Sequence, residues 1–199
     1  MSAPPRVASS SFVLRGVDEQ HTESRTRRWA DRYGEHVAGA ERPNTVDQPL
    51  PLIDVHSIAV GASAERSWQG VVAMLSDVGS NRAWKGLATA LGCSVRRSSG
   101  RPDAVGSSVP GFLVVESDPP RTLRLGGAHR FSNYELTFRV EPSGEGHSLL
   151  QAESRASFPG SAGRVYGALV IGGRVHVLAV RAMLRQIKTG CDRTACPRR

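Results

Sequence analysis

The sequence predicts an α+β domain: a curved antiparallel sheet of about seven strands wrapped on a long C-terminal helix, with two short helices after the first strand. Three observations predict it. Apolar and polar residues alternate from Thr122 to Phe158, with breaks only at turn residues. Helical spacing holds between Ser63 and Leu91. A stretch from Ala162 to Lys188 is apolar on most sides, with Arg174, Arg181, Arg185 and Lys188 along one stripe.

Pro51 to Val60 reads as the first strand, with Ile53, Val55 and Ser57 on one face. Gly61-Ala62-Ser63 ends it. Ser63 is a side-chain cap for the next helix, and Glu65 stands in the first turn, where the helix dipole favours an anion. Trp68, Val71, Val72 and Leu75 follow helical spacing, and a second helix after Ser80 carries Trp84, Leu87, Ala88 and Leu91. Gly92 occupies the position where a helix end favours positive φ. Cys93 to Arg97 reads as a weak strand, and Val105 to Val109 is extended up to Pro110-Gly111. Phe112 to Glu116 is a strong strand stopped by Asp118-Pro119-Pro120.

In the next strand Leu123, Leu125, Gly127 and His129 share one face. Tyr134, Leu136, Phe138 and Val140 then face inward, opposite Glu135, Thr137, Arg139 and Glu141. After the hairpin loop Pro142 to Gly146, Leu150, Ala152, Ser154, Ala156 and Phe158 face inward. A sheet with one buried face requires this pattern. Pro159-Gly160 ends the sheet, and Ser161 is placed to cap the final helix. There Leu169, Gly172, His176, Val180, Met183 and Ile187 fall on one side, opposite the arginines, and Gly172-Gly173 marks a bend or a close backbone approach.

Residues 1–49 mix proline, serine and charges with few large apolar side chains, which predicts a disordered or partly helical arm. Trp29, Tyr33 and Val37 share one face within it. Residues 50–190 form the expected domain, and 191–199 a flexible basic tail. The chain of 199 residues carries a net charge of +8, spread without a basic block interleaved with aromatics, so nucleic acid is not the expected partner. No charge-free apolar run approaches the roughly 20 residues of a membrane span. The first residues lack the apolar core of a secretory signal, and the expected compartment is cytoplasmic. Three cysteines argue against a disulfide framework.

The strings that carry a family likeness are Gly111-Phe-Leu-Val-Val-Glu-Ser-Asp-Pro-Pro-Arg-Thr-Leu-Arg-Leu125, Leu136-Thr-Phe-Arg-Val-Glu-Pro-Ser-Gly-Glu-Gly146, and Phe158-Pro-Gly160 before the long helix. With the element order, they resemble the helix-grip fold of the START / Bet v 1 / polyketide-cyclase superfamily (SRPBCC) over residues 50–190. The resemblance implies a sheet gripping the last helix, with a cavity between them that takes an apolar small molecule. The superfamily shares no catalytic motif, so no catalytic residue carries over.

No phosphate-binding glycine loop, zinc-protease histidine pair or nucleophile elbow is present, and neither a cofactor nor a metal is expected. Cys191 and Cys196 are separated by four residues with no second pair to complete a zinc site. Polar groups on the inner face remain. The expected ligand-binding set is Tyr134, Leu136 and Phe138 on one strand, Ala152, Ser154 and Ala156 on the next, and Leu169, Gly172, His176 and Val180 on the last helix. Small side chains on a concave sheet either leave volume for a ligand or let the helix come close. The leading reading is a carrier or binder of a small hydrophobic or amphipathic molecule. The alternative is a cyclase or dehydratase in which His176 and Tyr134 transfer protons. A third reading is a protein interaction module that docks through residues 24–37. No oligomeric state follows from the pattern.

Overall fold

The computed structural model describes the backbone of residues 49–195 and side chains through Arg193. The arm face at Trp29, Tyr33 and Val37, and Cys196, lie outside the described residues. In chain order the elements are β1 (Leu52–Val60), α1 (Ala64–Ser80), α2 (Arg82–Ala90), β2 (Ser108–Val109), β3 (Phe112–Asp118), β4 (Thr122–His129), β5 (Ser132–Pro142) and β6 (Ser148–Ser157). They are followed by α3 (Gly160–Gly167), a π-helical turn (Ala168–Gly172) and α4 (Val175–Ala195). The sheet has six antiparallel strands in the order β1-β6-β5-β4-β3-β2. This is the helix-grip architecture, with six strands where about seven were expected. The missing one is Cys93 to Arg97, which runs as a loop held by Cys93 N donating to Ala88 O and Gly111 N donating to Val95 O.

Local sequence explains most boundaries. Ser63 accepts from Arg66 N, and the Asn81 side chain accepts from Trp84 N to open α2. Gly92 takes φ +70°. The glycine tolerates this left-handed backbone without Cβ strain. Register shifts between Leu52 and Asp54, and between Val114 and Glu116, bend the two sides of the sheet. Helix α1 packs on the inner face, with Trp68, Val71, Met74 and Leu75 buried. A buried hydroxyl contact of 2.7 Å between Ser67 and Ser148 ties it to β6. On α2 only Ala88 is buried, and the Trp84 ring is held by its indole N–H donating to Pro110 O at 2.8 Å.

Two expectations need correction. In β1 Asp54, His56, Ile58 and Val60 face inward, because Ile58 pairs with Leu150 and Val60 with Ser148, both buried, while Leu52 lies beyond the register shift and is exposed. Ile53, Val55 and Ser57 therefore line the outer side, where Val55 is exposed. The last helix is not continuous. It breaks at Gly172-Gly173-Arg174, and its two parts diverge by 53°. Arg174, not a glycine, takes the positive φ of 58°. The core stripe of α4 is consequently Val180, Leu184, Ile187 and Cys191, while Leu169 and Gly172 lie beyond the break and are exposed. Helix α3 begins at Pro159 without a side-chain cap, so Ser161 does not serve as one. It sits close to the sheet end because Gly163 and Gly167 are buried against Phe158, where a Cβ would come within 2.9 Å of that residue.

Candidate functional site

The inner face divides into two halves. Towards the Val60 end, Ile58, Leu150, Val140, Phe138 and Leu123 form a continuous apolar core beneath α1 and the second half of α4. Towards the other end polar groups replace them. Asp54 pairs across the strands with Ser154, and Ser154 with Leu136. One step further, Ala156 pairs with Tyr134 and Tyr134 with Gly127.

His176, in the first turn of α4, reaches over this row. Its Nε2 lies 3.4 Å from Asp54 Oδ1, and His56 Nε2 lies 3.3 Å from Asp54 Oδ2. The three side chains are mostly buried, with Asp54 15% exposed. Both separations exceed the 2.7–2.9 Å of a strong charge-assisted hydrogen bond. Among the described residues, both Asp54 oxygens, both histidine Nε2 atoms and Ser154 Oγ are buried without a hydrogen-bond partner. Buried polar atoms are ordinarily satisfied. A cluster of five that are not is a set of donors and acceptors available to another molecule.

A second polar group lies on β4 and β5. Tyr134 OH donates to Gly111 O at 2.6 Å and contacts Cys93 Sγ at 3.8 Å. Its ring stands edge-on to Phe112 and 5.4 Å from the His129 ring. It also lies over Gly127, where any Cβ would overlap the phenol and the Gly111 carbonyl. His129 Nδ1 accepts from Phe131 N, which leaves the proton of the neutral ring on Nε2. Burial lowers the His129 pKa, and burial raises those of the Cys93 thiol and the Tyr166 phenol. Tyr166 stacks on Phe131 at 5.3 Å and closes the aromatic group. No cluster of three or more metal-ligating side chains is arranged to hold an ion among the described residues.

Two depressions flank these groups. One, of about 290 Å³, lies between edge strand β1 and α4 and is lined by His56, Ser57, Ile58, Arg181, Leu184 and Arg185. The other, of about 470 Å³, lies beside α3 and is lined mainly by Phe131, Val165, Tyr166 and Leu169. Both are open to the surface, and His176 lines neither, so neither is the enclosed cavity expected between sheet and helix.

The expected site residues are thus distributed. Tyr134, Leu136, Ser154, Ala156 and His176 gather at the polar half. Phe138, Ala152 and Val180 belong to the packed core, to which Leu136 also contributes. Leu169 and Gly172 stand outside the grip. His176 and Tyr134 are placed in different groups, one on Asp54 and the other on Gly111 and Cys93. Sequence reasoning missed Asp54 and His56. The signal was present as an aspartate and a histidine at strand spacing, but β1 carries apolar residues at both parities and the wrong face was chosen.

No family model matches the chain, and no curated protein matches its sequence. Solved structures do match in chain course. A conserved protein from Geobacillus kaustophilus is 16% identical, over 70% of this chain and 95% of its own, with a TM-score of 0.45. A truncated norcoclaurine synthase from Thalictrum flavum is 15% identical, over 71% and 95%, also at 0.45. CalU16 from Micromonospora echinospora is 14% identical, over 67% and 64%, at 0.42. Identity this low transfers no residue role.

Proposed function

We propose that this chain binds a small amphipathic molecule at the polar half of the inner face, as a member of the SRPBCC superfamily. The observation that carries the reading is the buried set Asp54, His56, His176 and Ser154, whose polar atoms make no hydrogen bond although both imidazoles stand at ion-pair distance from the carboxylate. A fold that buries a carboxylate and a hydroxyl without hydrogen bonds incurs a stability cost, and a ligand that supplies them recovers it. The chemistry of the set selects a group that both donates and accepts, such as a hydroxyl or phenol. Asp54 accepts from it, and Ser154 does either. Leu136, Ala156 and the Tyr134 ring offer apolar surface for the rest of the molecule.

Native mass spectrometry of the purified chain tests this, with a retained small compound as the expected result. Asp54→Leu removes the acceptor and is expected to lose the compound while keeping the fold. Retention unchanged in that variant contradicts the site.

One observation favours a second reading, proton-transfer catalysis. Asp54 lies against His176 as an orienting carboxylate lies against a catalytic imidazole, a pairing that serves a general base. The proton partner in this reading is Asp54-held His176 alone, since Tyr134 already donates to Gly111 O. It predicts a rate loss of about 10²-fold in His176→Ala on an enolisable carbonyl substrate. An equal rate removes it.

A further inference from the structure

The segment that leaves the grip has an unusual surface. Val165 and Leu169 on α3 and the π turn are 62% and 68% exposed, and Val175 and Leu178 on the first turns of α4 are 60% and 65% exposed. Four large aliphatic side chains within fourteen residues, on both sides of one elbow, are more than half exposed, a concentration of exposed apolar groups on one short segment. The depression beside α3 extends this apolar surface to Phe131 and Tyr166.

The charged side chains that the segment itself carries have one sign. From Ser154 to Cys191 the sequence holds no aspartate or glutamate, while Arg164, Arg174 and Arg181 flank the four aliphatic residues and are exposed. Exposed apolar side chains bordered by exposed arginines, with the nearby Asp54 mostly buried against His176, are complementary to an anionic bilayer surface, where aliphatic groups enter the acyl boundary and guanidinium groups meet phosphate. A protein partner would match the apolar part and leave the arginines needing a separate acidic surface.

The geometry favours lying on the bilayer over crossing it. No single described helix is long and apolar enough to span, and the pair that passes by composition is bent by 53° with Arg174 at the bend. The second half of α4 is anchored in the core through Val180, Leu184, Ile187 and Cys191. Only the elbow is available.

We infer that the α3–π–α4 elbow is a docking surface for anionic lipid membranes, inserting Leu169 and Leu178 and placing Arg164, Arg174 and Arg181 among the headgroups. This stands apart from ligand retention on the inner face, and a failure of either leaves the other unaffected.

The test is co-sedimentation of the full chain with vesicles of phosphatidylcholine alone, and of phosphatidylcholine with an equal share of phosphatidylserine. The expected result is binding to the anionic vesicles only, weakened by salt. The double variant Leu169→Asp/Leu178→Asp, and separately Arg174→Glu/Arg181→Glu, are each expected to lower that affinity by about tenfold or more. Both pairs are exposed, so unfolding curves should match the parent and show that the fold is kept. Binding that is absent, equal for both vesicle types, or unchanged in both variants overturns the inference. A parent that is dimeric by light scattering, becomes monomeric in Leu169→Asp/Leu178→Asp and ignores vesicles also overturns it, and assigns the elbow to a second copy of the chain.

Discussion

The two halves of the inner face use the same strands for different ends. Phe138, Leu150 and Leu123 are fully buried among apolar neighbours, with the mutually bonded Ser67 and Ser148 hydroxyls beside them, and two helices close over them. Around Asp54, Ser154 and Tyr134 the strands carry polar groups, the covering helix breaks away, and several buried atoms lack partners. Stability and binding are thus separated along the strands. The first half can be filled because nothing needs to enter it. The second keeps buried polar atoms without hydrogen bonds, which is what the proposed polar ligand would satisfy.

The largest effect that separates the halves is truncation in the filled one. Phe138→Ala is expected to cost about 3–5 kcal/mol of folding stability, whereas Leu169→Ala beyond the break stays within about 0.5 kcal/mol. Chemical denaturation of the two variants measures the contrast. Comparable losses would mean that the elbow is part of the core.

Next comes the boundary between the halves. Gly127→Ala places a methyl against the Tyr134 ring and the Gly111 carbonyl, and overpacking of this kind costs about 1–3 kcal/mol. It also displaces the phenol, so the hydrogen bond from Tyr134 to Gly111 should be lost, visible as a change in near-ultraviolet dichroism. A variant with unchanged stability and spectrum contradicts the close contact.

Within the polar half the sign reverses. Ser154→Ala removes a buried hydroxyl that has no partner among the described residues, and thermal unfolding should show about 1 kcal/mol of added stability. A loss of that size instead would show that the hydroxyl is satisfied in the ligand-free chain.

The smallest effect is a pH dependence. Burial holds the His129 pKa below its ordinary 6.5, so the unfolded chain takes up a proton at a higher pH than the folded one. This contribution is complete above 6.5 and is lost as pH falls from there towards the folded value. His129→Gln should flatten that part of the stability profile between pH 7 and pH 5, measured by denaturation at each pH. An unaltered slope assigns it elsewhere.

How far these halves were legible follows from what each signal depends on. Strands β3 to β6 emerge from their apolar runs and from proline and glycine turns, and in β4 to β6 the inward residues lie where period two puts them. Strand β1 was readable as a strand but not in its parity, because Leu52, Ile53, Val55 and Ile58 are apolar on both faces and only pairing with β6 decides between them. That ambiguity hid Asp54 and His56. The helix break was signalled by Gly172-Gly173, yet apolar residues continue through it, so an unbroken helical period carried Leu169 into the wrong half. His176 was found from its position on the helix, while its partner Asp54 lies far away in sequence and is brought to it only by the sheet–helix contact.

The central claim is that the set around Asp54, buried without hydrogen bonds, is a binding site. It is tested most directly by native mass spectrometry combined with thermal unfolding of the parent chain and of Asp54→Leu. The account predicts a small compound retained by the parent and absent from the variant, which still unfolds cooperatively near the ligand-free parent. A variant that keeps the compound, or unfolds well below the ligand-free parent, would mean that Asp54 holds the structure together and that the site lies elsewhere.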